Sequence, residues 1–209
     1  MKIFVAGASG RVGQELVKIL VKEGHDVLAG SRHPETFREL ENLKPTFLDL
    51  HASVSDLEKL LAGVDVVYFT AGSRGSDLLQ TDLNGAVKLM EASESANVKR
   101  YIQLSSLFAM DQSRWSTTSL TDYNISKYFS DHWLVDKVKL DYTILQPGSL
   151  TEKAGTGRIA VDVSDTGENP IEDVAQTLAD IKDMPNTIKK VISMHSGDVP
   201  IRAALLSIK

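Results

Sequence analysis

The chain has no cysteine among its 209 residues. That excludes disulfide staples, thiolate metal sites and cysteine nucleophiles together, and it fits a reducing, cytoplasmic setting. Proline is scarce, with six residues, and neither repeats nor low-complexity stretches are present. Positive charge is not in excess: the net charge is −5 and the pI about 5.5, so the chain carries no basic footprint for nucleic acid or anionic lipid. Long hydrophobic runs are absent too. The opening "MKIFVAGASG" has a short apolar run that breaks at glycine, too short for a leader or a membrane span, and it reads as a strand. The five histidines are scattered without ligand spacing, so no metal site is expected. What remains, 42% hydrophobic and 24% charged, is an ordinary globular composition. The expectation is one domain over residues 1–209, a monomer or homodimer, with a small molecule as its partner.

Short β-branched runs alternate with longer amphipathic segments. "KIFVA" (2–6), "DVLAG" (26–30), "PTFLDL" (45–50), "VDVVYFT" (64–70), "KRYIQLS" (99–105) and "DYTILQ" (141–146) read as strands. Several are apolar almost throughout, as strands are when both faces of a parallel sheet are covered. Residues 11–23 place Val12, Leu16, Ile19 and Leu20 at helical spacing, and residues 78–97 do the same with Leu79, Leu83, Val87 and Met90. "HPETFREL" puts proline at a first helical position, and "SVSDLEKLL" offers a serine N-cap. This alternation predicts an α/β fold, a Rossmann-type doubly wound parallel sheet with helices on both faces. Residues 151–209 hold candidate strands at 157–163 and 189–195 and helices at 171–181 and 201–208. They are too few for an independent domain and read as a small C-terminal, substrate-facing lobe over one end of the sheet.

"GASGRVG" sets Gly7, Gly10 and Gly13 directly after the first strand and at the mouth of the first helix. Gly7 permits the sharp exit from the strand, Gly10 the approach of a pyrophosphate to the backbone, and Gly13 the close packing of helix on sheet. Ser9, Arg11 and Val12 complete the turn, and the helix N-terminus adds free N–H donors for phosphate. The second strand bears on the cofactor. An NAD enzyme usually carries an acid about 20 residues past the glycines, where this chain has Ser31 and Arg32. A guanidinium binds a 2′-phosphate that a carboxylate would repel, so NADP is expected over NAD. Glu35 is the residue that would oppose this if it turned back toward the ribose.

Ligands on open α/β sheets bind beyond the carboxyl ends of the strands. Asp49 and Leu50, at the end of the third strand, are placed along the adenine edge. Thr70, Ala71 and Gly72 end the fourth strand, Ser105 and Ser106 the fifth, and Pro147 and Gly148 the sixth, at the nicotinamide end. In "TDYNISKYFSD" Tyr123 and Lys127 lie four residues apart, on one face of a helix. With five tyrosines in the chain such a pair arises readily by chance; its position after "LSS" and before "DYTILQPG" gives it interest. Trp115 falls in a polar loop, where it either lines a substrate pocket or covers the core. Trp133 reads as packing on the sheet or at a subunit interface.

Over residues 1–150 the chain resembles the short-chain dehydrogenase/reductase superfamily, and most of all its atypical, short NAD(P)H-binding members. The resemblance rests on "GASGRVG", "SRHPE", "LDL", "FTAG", "DLNGAVKLMEAS", "VKRYIQLSS", "YNISKYFSD" and "DYTILQPGSLTE" in that order. It implies that Tyr123 is a general acid and that Lys127 lowers the tyrosine pKa and bonds the nicotinamide ribose. Ser106 would help to hold the substrate oxygen. Two positions depart from the family pattern. Leu107 follows Ser106 where a catalytic hydroxyl generally lies, and Asp82 stands where many members carry a proton-relay asparagine, with Asn84 two residues on. The resemblance thus implies an NADP(H)-binding oxidoreductase acting on a small carbonyl, alcohol or quinone-like substrate. A cofactor-sensing regulatory protein, or an epimerase or dehydratase that recycles its bound cofactor, remain the alternatives.

Overall fold

The computed structural model describes residues 1–117 and 120–209. The chain runs β1 (Lys2–Ala6), α1 (Arg11–Lys22), β2 (Asp26–Ser31), β3 (Leu43–Phe47), α2 (Val54–Leu60), β4 (Val66–Phe69), α3 (Gly85–Ser95), β5 (Arg100–Leu104), α4 (Thr121–Asp136) and β6 (Asp141–Pro147). It continues through β7 (Ser149–Thr151), β8 (Arg158–Val161), β9 (Glu168–Pro170), α5 (Ile171–Ile181), β10 (Lys190–Ser196), β11 (Val199–Pro200) and α6 (Ile201–Leu206). The main sheet has the order β11-β8-β10-β6-β5-β4-β1-β2-β3. From β3 to β10 its pairings are parallel. The chain leaves β1 toward β2 and β3, then returns to the other side of β1 as β4. That reversal leaves a crevice at the carboxyl ends of β1 and β4.

Both faces of the sheet are covered, and strand alternation splits the core in two. Ile3 and Val5 of β1 pack with Leu16 and Leu20 of α1 and with Val174 and Leu178 of α5. Phe4 and Ala6 face the other way, toward Leu57 of α2, Leu89 and Met90 of α3, and Leu134 of α4. Period two in the strands and period 3.6 in the helices account for this two-layer cover. Helix α2 begins at the expected serine: Ser53 accepts from the Asp56 N–H at 3.2 Å.

Four expectations are adjusted. Residues after 150 extend the sheet instead of forming a lobe over its end. β10 adds a parallel strand beside β6, with Ile192 and Met194 fully buried, while β8 and β11 follow antiparallel. Only the β7–β9 pair stands apart as its own two-stranded sheet. β3 spans 43–47 rather than 45–50; Pro45, which has no N–H, is accommodated because this is the edge strand. "HPETFREL" forms one 3₁₀ turn at Pro34–Thr36 with no buried residue, since it has no apolar stripe to dock. The helix expected over 78–97 is π-helical over Leu78–Asn84 before α3 begins.

Candidate functional site

The crevice at the β1–β4 switch point opens into a cleft of about 990 Å³, the size of a small-molecule or cofactor site. Its floor is the glycine turn. Gly7 has φ +85°, and a Cβ there would lie 2.5 Å from the Ala71 backbone, so the turn is pressed against the end of β4. A Cβ on Gly13 would lie 2.2 Å from the Gly7 carbonyl oxygen, which places Gly13 in the packing beneath the cleft. Gly10 faces the cleft and, as the N-cap of α1, has no side chain to satisfy the first-turn N–H groups. The first turn carries no acid either. These groups therefore point their partial positive charge into open space, a fit for phosphate.

Ser9, Arg11 and Val12 line the cleft beside Gly7 and Gly10. Arg11 Nη1 reaches 3.2 Å to Glu152, just after β7, and both partners are well exposed. At the end of β2, Ser31 and Arg32 are on the wall. Ser31 Oγ donates to Ser9 Oγ at 3.0 Å and accepts from the His33 N–H at 3.0 Å, which ties the glycine turn to the strand end. Glu35 meets His33 Nδ1 at 3.1 Å and does not line the cleft. Asp49 and Leu50 lie on the wall, in the loop beyond β3 instead of in the strand. Thr70, Ala71 and Gly72 line it at the end of β4, with Thr70 Oγ1 donating to the Ala6 carbonyl at 2.9 Å.

Tyr123 and Lys127 of α4 line the same cleft. Lys127 is 2% exposed; its Nζ donates to the Leu104 carbonyl at 3.3 Å and sits 5.6 Å from the ring centres of both Tyr123 and Phe69. One turn further along α4, the fully buried Asp131 accepts from Ser105 Oγ, Gln103 Nε2 and Gln146 Nε2. Burial pushes the Asp131 carboxyl up, while the Ser105 and Gln103 hydrogen bonds oppose that shift.

Five expected positions do not line the cleft. Gly13 is in the packing just described. Ser105 is turned to Asp131, since alternation along β5 points Gln103 and Ser105 to the same face. Ser106 is in the turn beyond β5, where its carbonyl accepts from the Ala109 N–H. The Pro147 carbonyl accepts from the Leu107 N–H, and the Gly148 N–H donates to Met194 and to Asn169. A Cβ on Gly148 would lie 2.2 Å from the Gly167 carbonyl oxygen, so this glycine answers to chain packing. Trp115 is half-buried, its Nε1 donating to the Ala109 carbonyl and its ring edge-on to Tyr128 at 5.1 Å. Trp133 is 38% exposed on α4.

Sequence reasoning missed other wall residues, among them His51, Ser73, Arg74, Thr81 and, as a wall residue, Asp82. His51 and Thr81 both hold Asp77, at 2.7 and 2.6 Å, and keep its carboxyl below the usual range, Thr81 foremost. Asp82 is 0% exposed. Its Oδ2 accepts from the Ser73 N–H at 2.9 Å, whereas Oδ1 has no partner among the described residues, nor has the buried Oγ of Ser73. Among the described residues no cluster of metal-ligating side chains occurs, and no helix is long and apolar enough to cross a membrane.

Comparison with known proteins bears on this geometry. The family model described as NAD(P)H-binding matches residues 7–185. The oxidoreductase YlbE from Lactococcus lactis superposes with a TM-score of 0.96 at 41% identity, covering 100% of this chain and 96% of that one. YhfK of Bacillus subtilis (strain 168), which bears the name of an uncharacterized sugar epimerase, is 34% identical over 213 residues, 98% of this chain and 99% of its own. A wide-type short-chain dehydrogenase/reductase from Veillonella parvula DSM 2008, solved in complex with NADP, shares the fold at a TM-score of 0.79 and 15% identity, over 95% of this chain and 96% of that one. The chain belongs to the NAD(P)H-binding family, among the atypical short-chain dehydrogenase/reductases, and its cofactor is a nicotinamide dinucleotide.

Proposed function

We propose that the chain is an NADP(H)-dependent oxidoreductase that moves a hydride to or from a small carbonyl, alcohol or quinone-like substrate, with Tyr123 as proton donor. One observation carries the reading: Tyr123 and Lys127 line the same cleft as the glycine turn, with Lys127 Nζ 5.6 Å from the Tyr123 ring centre. When bound, the nicotinamide supplies the two-electron hydride chemistry. The protein orients the substrate and manages the proton. The Tyr123 hydroxyl delivers its proton to the substrate oxygen, and the nearby ammonium of Lys127 stabilises the phenolate left behind. Lys127 is held by the Leu104 carbonyl and shielded from water, which strengthens its field at that oxygen. Ser106, away from the cleft lining, has no part in this reading.

The preference for NADP rests on the end of β2. Ser31 and Arg32 are on the wall, while Glu35, the carboxylate that follows them in the chain, does not line the cleft and is engaged with His33. Two further readings each have one observation in their favour. The engagement of Ser105 with Asp131 and the position of Ser106 remove the usual second hydroxyl, which suits a protein that senses NADP(H) without turnover. The name of the Bacillus subtilis relative suits an epimerase or dehydratase.

The test is oxidation of NADPH across a panel of quinones, flavins, aldehydes and ketones, followed by its absorbance. Turnover is expected with at least one class, and Tyr123→Phe should lower kcat by ~10²–10⁴-fold while dinucleotide affinity stays close to wild type. Tight binding without turnover across the panel would favour the sensor; product formation without net NADPH consumption would favour the epimerase. Unimpaired turnover in Tyr123→Phe would remove the tyrosine from the chemistry.

A further inference from the structure

Asp82 is a carboxylate whose burial the protein itself does not explain. It has no solvent exposure, one oxygen is taken by the Ser73 N–H, and the other is without a partner among the described residues. An acceptor shut off from water and left unpaired is costly, more so when charged. The Oγ of Ser73 is unpaired and buried in the same way. Both residues line the cleft. Gly72 is beside them, and a Cβ there would come within 3.3 Å of Asp82 Oδ1, so the missing side chain keeps space open at the unpaired oxygen. Asp82 also sits in the π-helical stretch Leu78–Asn84, a wider winding than the α-helix and one frequently found at functional sites.

Two orphaned oxygens together on a ligand-sized cleft suit a ligand that brings a hydrogen-bond donor. A phosphate is unsuitable, because it would meet a carboxylate. Hydroxyls suit, since they donate to Asp82 Oδ1 and can exchange a hydrogen bond with Ser73 Oγ. The order β2-β1-β4-β5 along the cleft says which hydroxyls. The first-turn N–H groups of α1 and Arg11 lie at β1, and Ser31 and Arg32 lie on the β2 side. Gly72, Ser73 and Asp82 follow β4, on the side that leads to Tyr123 and Lys127. We infer that Asp82 Oδ1 and Ser73 Oγ form the seat for the sugar hydroxyls of the nicotinamide half of the dinucleotide, with Asp82 in the segment that packs against α4, the helix of Lys127. This seat rests on the cofactor assignment and adds to it a second recognition point, separate from the α1 phosphate site and from Arg32.

Calorimetric titration of the full chain with NADP⁺ and, separately, with adenosine 2′,5′-bisphosphate tests the seat, because the second compound has only the adenosine half. Asp82→Asn keeps the size of the side chain and removes its charge. It should weaken NADP⁺ by ~10–100-fold, the loss of a hydrogen bond to a charged group, and leave adenosine 2′,5′-bisphosphate within about twofold of wild type. Ser73→Ala, which keeps the backbone N–H that Asp82 uses, should show the same selectivity with a smaller loss, and it carries the test if Asp82→Asn does not fold. Unchanged NADP⁺ affinity in the folded variant, or equal weakening of both compounds, overturns the seat while the cofactor reading stands. A wild-type chain that binds adenosine 2′,5′-bisphosphate as tightly as NADP⁺ also overturns it, since the nicotinamide half would then add nothing. Failure of the wild-type chain to bind NADP⁺, NADPH or NADH overturns the cofactor reading, and the seat with it.

Discussion

Ser105 Oγ donates to Asp131 Oδ2 across 2.5 Å, with both residues closed off from solvent beneath the cleft. The same carboxyl takes Gln103 Nε2 at 2.7 Å and Gln146 Nε2 at 3.2 Å, so one side chain of α4 fixes the ends of β5 and β6. Asp131→Ala strands three buried donors and should cost about 2–4 kcal/mol in urea unfolding. The pH dependence has a definite sign. Burial raises the folded pKa above the unfolded one, so the stability contributed by the carboxyl is fully present below the unfolded value and is lost as pH rises through the folded one. The stability of wild type relative to Asp131→Asn should therefore decline as pH is raised from about 4. A difference that grows with pH over that range would contradict the shift.

Arg100 gives a second case of buried charge. Its guanidinium donates to the carbonyls of Asp141 and Ile181 and to the hydroxyls of Thr143 and Thr187, joining β5, β6 and the turns after α5. Burial lowers its pKa to about 10, so it remains a cation at neutral pH. Arg100→Leu should destabilise by about 3 kcal/mol or more, because a set of acceptors loses its shared donor in a dry site. Arg100→Lys should recover only part of this, since an ammonium lacks the planar fork. Urea midpoints of the three proteins give the comparison.

Arg32 tests the coenzyme preference. Arg32→Ala should weaken NADPH by ~10–100-fold and leave NADH nearly unchanged, the expected loss of a charge-assisted bond to phosphate. Competition titration against both coenzymes measures it. Equal effects on the two would place Arg32 elsewhere than at the 2′-phosphate.

His195 offers a titration at the far side of the sheet. Its Nδ1 is 2.7 Å from the Ser196 carbonyl and its Nε2 3.1 Å from Asp165, so both ring nitrogens face acceptors. The pKa is raised, mainly by the Ser196 carbonyl and then by Asp165. Its contribution to stability is thus full below the unfolded value of about 6.5 and lost as pH rises through the folded one. The imidazole NMR titration should show a midpoint above about 6.5, lowered in Asp165→Asn. A wild-type midpoint below that value would contradict the arrangement.

Where local pattern and tertiary demand coincide, the sequence is readable. β1, the glycine turn and α1 follow from adjacent residues, and α5 begins and ends where the apolar spacing of 171–181 does. Fourteen of the expected site residues, among them Arg32, Gly72, Tyr123 and Lys127, share the one cleft. Sequence reading failed where a side chain's direction depends on a distant partner. Ser105 faces away from the cleft because Asp131, 26 residues on, is there to receive it. A signal was present: buried-strand positions 103 and 146 are glutamines, which require a polar partner on the adjacent helix. The π-helical winding before α3 leaves no mark in apolar spacing, so in the sequence Asp82 stands out only as a departure from the family pattern and not for its unpaired oxygen.

The three glycines of the opening turn answer to different demands, and this bears on how such chains diverge. Gly7 and Gly13 are fixed by contacts of the protein with itself, at 2.5 Å and 2.2 Å from a would-be Cβ, whereas at Gly10 the corresponding approach is 3.2 Å. A descendant that abandoned its coenzyme would still be compelled to retain the first and the last. The middle position would be the easiest of the three to lose, since alanine there asks only a few tenths of an ångström of the Gly7 carbonyl, and its replacement is the mark to expect in a lineage in which the dinucleotide has been given up.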